Sequence, residues 1–395
     1  MNTSSDRLIE KPKIVYVVPV LDIGGCEMHL LSVLPALQKW FSIRILIFHH
    51  HAGALGPLFE AQGIDLVCLL SPTSNQYGRI RRWIQGTWRL RKHLSTKVDI
   101  LHAFLPIAYC SSGVAYLLSR KVKHFLMSRR ALNIYAQNRY ILRKLEKFLH
   151  KHLCLALGNS SEVCKQLEEE GIPPEKVYKI FNGLPLRPLY SLQEKETILQ
   201  KIQDVPLGWI RIVYVANFMS YKGHEDLVAV SKTLLSLGHS HFCFLLAGRD
   251  SEDRATRLKN RITQQGIEKH FRFLGEVYDP RTLLNCADMG VFPSHEEGFS
   301  NGLLEKMAQG LAVVAVDVGG NRDAIISGKN GYLIPLGDTQ AMAQSLALLI
   351  SNPVLRTKIG NAAKQTVETL FTLERCVDAY RIMYQKILSS CTHHG

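Results

Sequence analysis

Short, largely apolar runs constrain this chain more than any other feature. They fall at residues 13–20 (KIVYVVPV), 43–48, 98–104, 210–217, 271–275, 289–293 and 311–318, with helical patterns between them. Runs of this length without strict polar alternation read as strands covered on both faces. After the first run Gly24-Gly25 make a turn, and Met28, Leu31, Leu34 and Leu37 recur at helical spacing. The βαβα order continues throughout with no tandem repeat of fixed period, which selects an α/β fold built from doubly wound, Rossmann-like domains.

Residues 287–320 (ADMGVFPSHEEGFSNGLLEKMAQGLAVVAVDVGG) are where chemistry is expected. The run at 289–293 ends in a proline, and a loop over 295–302 carries two glycines, a serine, an asparagine and two acids. Leu303, Leu304, Met307 and Ala308 then share a helix face, and Gly310 sits at the helix stop. Such a loop presents backbone N–H groups at a helix start, where the partial positive charge suits a phosphate. Ser300 or Asn301 is the expected N-cap, and Gly298 and Gly302 let backbone approach a ligand with no Cβ in the way. A carboxylate beside a phosphate is repelled. Glu297 and Glu305 are therefore read as acceptors for the vicinal hydroxyls of a sugar and a ribose, against the plainer reading of Glu305 as part of a solvated helix face. Phosphate donors flanked by two hydroxyl-binding carboxylates describe a nucleotide-sugar pocket.

At 395 residues, 46% hydrophobic and 21% charged, the chain is long enough for two domains, and it holds no run of 18 apolar residues. Nine scattered cysteines without CxxC or Cys/His ligand spacing indicate reduced thiols and a cytoplasmic setting. The polar start has no apolar signal-peptide core. The net charge of +14 is uneven: residues 1–190 hold 26 Lys+Arg against 13 Asp+Glu, a balance of +13, and residues 191–395 hold 22 against 21, a balance of +1. The basic half suits an anionic membrane surface, a phosphorylated acceptor or nucleic acid. A helix over 79–94 sets Ile80, Trp83, Ile84, Trp88 and Leu90 among six basic residues, as either a membrane-surface helix or a packed helix with a basic side. His49-His50-His51 follow the second strand. Adjacent side chains of a strand do not share a face, so a polar loop is expected there and not a metal site.

The string from Ser294 to Gly320 resembles the signature of retaining glycosyltransferases of family 4: S-x-x-E-G-[FL], two glutamates eight residues apart, then G-x-x-V-V-A-x-x-x-G-G. N-S-S-E-V from Asn159 and K-I-F-N-G ending at Gly183 match this family more loosely. The resemblance implies two Rossmann-like domains facing across a cleft, the B-type glycosyltransferase fold. The expected organisation is an acceptor-binding domain over 1–190, a linker over 186–208, a donor domain over 209–370, and a C-terminal helix over 371–395 that returns to the first domain.

The resemblance also implies roles. Lys222 pairs with the donor diphosphate and Glu297 holds the sugar, these two being the catalytic candidates. Gly24, Gly25, Asn217, Arg249, Gly298, Phe299, Ser300, Asn301 and Glu305 surround the donor, with Glu305 on the ribose diol. Relatives carry an arginine where Asn217 stands, so Arg249 is a candidate replacement cation. His102, Arg129 and Arg130 are candidate acceptor contacts, although the second histidine of the family's H-x-H is Phe104 in this chain. No D-x-D occurs, so no metal and no cofactor are expected. The implied partners are a UDP- or GDP-linked sugar and a glycan or lipid-linked acceptor in surface-glycan assembly, with transfer in the cytoplasm or at the inner membrane face. A nucleotide-sugar epimerase would share the fold. A nucleic-acid-binding protein would explain the charge but has no recognition motif here.

Overall fold

The computed structural model describes residues 10–72, 74, 78–119, 121–132, 140–185, 192–250, 252–277 and 280–390. The chain divides into two units. The first comprises residues 1–183 and 373–395, and the second residues 184–372.

The first unit is built on β1 (Lys13–Val18), β2 (Ser42–Ile47), β3 (Asp65–Cys68), β4 (Val98–Phe104), β5 (Val122–Arg129), β6 (Leu155–Gly158) and β7 (Val177–Lys179). They pair in parallel in the order β3-β2-β1-β4-β5-β6-β7. Both faces of this sheet are covered, as its unbroken apolar strands require. Ile14, Tyr16, Ile43 and Ile45 join one core cluster, and Val15, Val17, Leu46 and Leu101 join the other. The final helix, Leu373–Ser389, supplies Tyr380, Met383, Tyr384 and Ile387 to the first of these clusters.

The second unit contains β8 (Ile210–Val215), β9 (Phe242–Ala247), β10 (Phe271–Gly275), β11 (Met289–Phe292), β12 (Ala312–Val316) and β13 (Tyr332–Ile334). All pairings are parallel, in the order β10-β9-β8-β11-β12-β13. In each sheet the strand order reverses beside the unit's first strand, between β1 and β4 and between β8 and β11. The crossover connections leaving such a pair run to opposite faces of the sheet, and doubly wound sheets hold ligands at the carboxyl ends there.

Two expectations need correction. The stretch read as a linker over 186–208 is mostly part of the second unit. Residues 186–191 lie outside the described residues, but helix Leu192–Lys201 follows, and Ile198, Ile202 and Val205 are buried in that unit's core. Polar composition hid the i, i+4, i+7 spacing of these three residues. At His49, His50 and His51 the expected loop is present, and what is corrected is the argument from strand alternation. Strand alternation does not apply to them, because β2 ends at Ile47 and the chain bends there. Their rings come together, with centroids 4.1 to 4.7 Å apart. Among the described residues no helix is long and apolar enough to cross a membrane.

Candidate active site

In the second unit the loops leaving β8 and β11 meet. Lys222 ends a short 3-10 turn, Ser220–Lys222, after β8, and its Nζ donates to Glu297 Oε1 at 2.7 Å. Their side chains are 18% and 11% exposed, so the ion pair is largely removed from water. Buried Tyr214 of β8 ties the two loops together: its hydroxyl donates to the Lys222 carbonyl (2.8 Å) and is hydrogen-bonded to Ser294 Oγ (2.9 Å). The amide of His295 donates to the Tyr221 carbonyl (2.7 Å), and the His295 ring is paired with Asp226 (2.6 Å). Gly223, at φ +67°, is required by this contact, since a Cβ there would lie 2.1 Å from the Pro293 carbonyl oxygen.

A third loop closes on the Glu297 segment from β12. Gly319, at φ +52°, passes so near that a Cβ would lie 1.9 Å from the Glu297 carbonyl oxygen. The Gly320 amide donates to the Gly298 carbonyl (2.7 Å). The glycine pair ending the motif is thus a backbone clamp, a role that the sequence reading did not give it.

Helix Asn301–Ala308 begins just beyond. Ser300 stands at its N-cap with extended backbone and no side-chain capping bond. Phe299 is buried on Phe371 with ring centroids 5.2 Å apart, so its side chain serves packing. Glu305 is half-buried on the first turns of this helix. The next residue, Lys306, is fully buried, which helical spacing of the apolar residues did not foretell. Its Nζ donates to the Gly302 carbonyl (3.0 Å) and lies over the Tyr214 and Phe292 rings. Gly290 of β11 makes room for it, since a Cβ there would sit 2.9 Å from Lys306 Cδ. Desolvation pulls its pKa from 10.5 down to about 8, against the attraction of Glu305 and Glu297 and with some help from Lys222. A buried lysine whose stem fills a glycine notch is visible only once strand and helix are packed.

The remaining donor candidates lie nearby in the same unit or in the first one. Asn217 is exposed, and its Oδ1 accepts from the Arg249 amide (3.2 Å), which brings Arg249 beside it. The Arg249 guanidinium is paired with Glu276 at 2.9 Å on the surface. Gly24 is the N-cap of helix Gly25–Leu37 in the first unit, in an extended conformation (φ −152°) open to any residue. Among the described residues, and apart from its chain neighbours and its own helix backbone, nothing lies within 4 Å of where a Gly25 Cβ would be.

Two acceptor candidates are corrected. His102 is fully buried, with Nδ1 hydrogen-bonded to Tyr384 (2.7 Å) and Nε2 to Ser128 (2.8 Å), so neither nitrogen is left for a ligand. Burial, aided by Arg130, pulls its pKa down to about 3, and the ring is neutral. Arg129 is turned into the interior, paired with Glu170 (2.5 Å) beside His150. A histidine or arginine near a strand end looks the same in sequence whether it faces a ligand or the core. Arg130 is half-buried, donating to Asn182 and, at 3.4 Å, to the Tyr380 hydroxyl.

Two parallel-sheet α/β units with this strand order define the class: the fold is that of B-type glycosyltransferases. HepE from Anabaena, solved in complex with UDP, superposes with a TM-score of 0.80 at 19% identity, covering 95% of this chain and 100% of that one. The model for "Glycosyltransferase Family 4" matches residues 23–187, and that for "Glycosyl transferases group 1" matches residues 196–366. The chain belongs to this glycosyltransferase family. The capsular polysaccharide biosynthesis glycosyltransferase CapM of Staphylococcus aureus is 27% identical over 45% of this chain and 46% of its own length. The lipopolysaccharide core biosynthesis mannosyltransferase LpcC of Rhizobium leguminosarum is 31% identical over 38% of this chain and 44% of its own. The matched part thus spans about half the length of these relatives.

Proposed function

We propose that this chain transfers a sugar, with retention of configuration, from a UDP- or GDP-linked donor to a glycan or lipid-linked acceptor in surface-polysaccharide assembly. The observation that carries this is the Lys222–Glu297 pair on the loops leaving β8 and β11, where the second sheet reverses its strand order. A cation and a carboxylate at one point suit a ligand that is anionic at one end and rich in hydroxyls at the other. Lys222 takes the diphosphate, with the backbone amides at Phe299, Ser300 and Asn301 adding donors at the helix start. Glu297 accepts from sugar hydroxyls and Glu305 from the ribose diol. Asn217 and Arg249 flank the diphosphate, and Gly298 leaves backbone accessible. Negative charge grows on the diphosphate as the glycosidic bond breaks, so a fixed lysine and fixed amides favour the transition state over the ground state. HepE, a structural neighbour, was solved with UDP and with UDP-glucose, which supports the donor class. Arg130 remains the candidate acceptor contact in the first unit.

The same reading places the enzyme in the cytoplasm, peripheral to an anionic membrane. On helix Arg79–His93, Trp83 and Leu90 pack inward, while Ile80, Ile84 and Trp88 are 77%, 57% and 53% exposed. They lie four residues apart on one face, with Lys92 Nζ 3.6 Å above the Trp88 ring. Helix Tyr140–His150 also exposes Ile141 and Phe148 among Arg143, Lys144 and Lys147. Apolar side chains ringed by cations suit the headgroup region of anionic lipid.

The test is a panel of UDP- and GDP-sugars screened by thermal shift and donor turnover. One donor should raise the melting temperature and be hydrolysed slowly without acceptor. If no nucleotide sugar does either, the proposal fails.

A further inference from the structure

We infer that the turn at residues 49–51 is a binding site for a divalent transition metal, held by the imidazoles of His49, His50 and His51. One ring nitrogen from each histidine lies within 4.8 Å of the other two, and among the described residues this is the group of three ligating side chains that meets that condition. A tetrahedral zinc with nitrogens at about 2.0–2.1 Å sets its ligands roughly 3.3 Å apart, so side-chain rotation of about an ångström closes the set. The Nδ1 atoms of His49 and His50 are shielded from solvent and have no hydrogen-bond partner among the described residues. His51 Nδ1 is engaged by the Gly53 amide at 3.1 Å, so Nε2 is the ring nitrogen that His51 offers a metal. Buried nitrogens without partners are uncommon, because each forfeits its hydration.

The turn is held in place before any metal arrives. The Leu21 amide donates to Ala52 (2.9 Å), the Leu55 amide to Leu21 (2.8 Å), and the Ala54 amide to Asp22 Oδ1 (3.0 Å). Gly53, at φ +90°, lies where a Cβ would be 2.6 Å from the Leu21 carbonyl, so the two loops are locked backbone to backbone. The Asp22 carboxylate acts on His49 from across this contact and offers a nearby negative charge, opposed by Arg82. Three imidazoles select zinc, nickel or copper over magnesium or calcium, which take oxygen ligands. The site belongs to the first unit and shares no residue with the donor-site candidates.

The experiment is equilibrium dialysis of the full chain, purified without a histidine tag, against Zn²⁺, with bound metal counted by elemental analysis. The parent should hold one zinc more than His49→Gln/His50→Gln/His51→Gln, which also corrects for zinc on the nine cysteines and the other histidines. His51→Gln alone, at the most exposed of the three positions, should bind that zinc at least about tenfold more weakly, as even loss of an outer-shell partner costs about 10–100-fold. Zinc should raise the melting temperature of the parent and not that of the triple variant. Equal zinc on parent and triple variant, or unchanged affinity in His51→Gln, overturns the inference. If the triple variant does not fold, His51→Gln decides.

Discussion

Replacing Lys306 with methionine tests whether a charge is truly desolvated beneath the Glu297 loop. The lysine is fully buried, and its pKa is drawn from 10.5 to about 8, chiefly by loss of water. That displacement corresponds to roughly 3 kcal/mol against the charged form. A base whose folded pKa is depressed is destabilising while charged, so below pH 8 the full penalty applies. Between pH 8 and 10.5 the unfolded chain binds more protons than the folded one, and the parent gains stability as pH rises. Methionine has a similar volume and no charge, but it forfeits the bond from Nζ to the Gly302 carbonyl, worth about 1 kcal/mol. Lys306→Met should therefore be more stable than the parent by about 2 kcal/mol at pH 7. The sign should reverse, to about 1 kcal/mol less stable, near pH 10.5. Denaturant unfolding of both proteins at pH 7, 8, 9 and 10.5 reads the difference, with other titrating groups common to both. A variant less stable at pH 7, with a difference that stays flat to pH 10.5, would mean that the Lys306 ammonium is not desolvated.

The other expectations concern the loops and surface around this point. Glu297→Gln and Lys222→Ala should each lower donor turnover by roughly 10²–10³-fold while the protein stays folded by circular dichroism. Near-parental rates in both would remove the site assignment. Lys222→Ala should also be the less stable of the two in denaturant, since it leaves a buried carboxylate without its cation. Gly319→Ala should destabilise by roughly 1–3 kcal/mol and reduce turnover, because the Cβ would press on the Glu297 carbonyl from a left-handed backbone position; a neutral result would mean that the β12 clamp is slack. Chelator should leave donor turnover unchanged, and activity lost to chelator and restored by manganese would contradict the expectation that the donor site works without a metal. Ile80→Ser/Ile84→Ser/Trp88→Ser should cut co-sedimentation with anionic vesicles severalfold at unchanged stability; full binding by the variant would dismiss the helix as a membrane contact.

Much of this protein was legible in its sequence by itself. Unbroken apolar runs separated by helical patterns dictate parallel strands covered on both faces, and the string from Ser294 to Gly320 carries both its strand–loop–helix–strand order and its family resemblance. Those are local properties: backbone periodicity, turn residues and the spacing of two glutamates along one segment. Tertiary structure alone decided which side chains meet. Lys222 and Glu297 lie 75 residues apart and become partners only because β8 and β11 pair side by side. His102 and Arg129 read as ligand contacts until Tyr384, from the far end of the chain, and Glu170 take up their polar atoms. Nothing along the sequence marks Lys306 as buried until the notch at Gly290 admits its stem, and three histidines read as a polar loop until the bend after β2 gathers their rings. Periodicity specifies which way a residue faces within its own element. What stands opposite depends on contacts closed over tens to hundreds of residues, and no local pattern carries that.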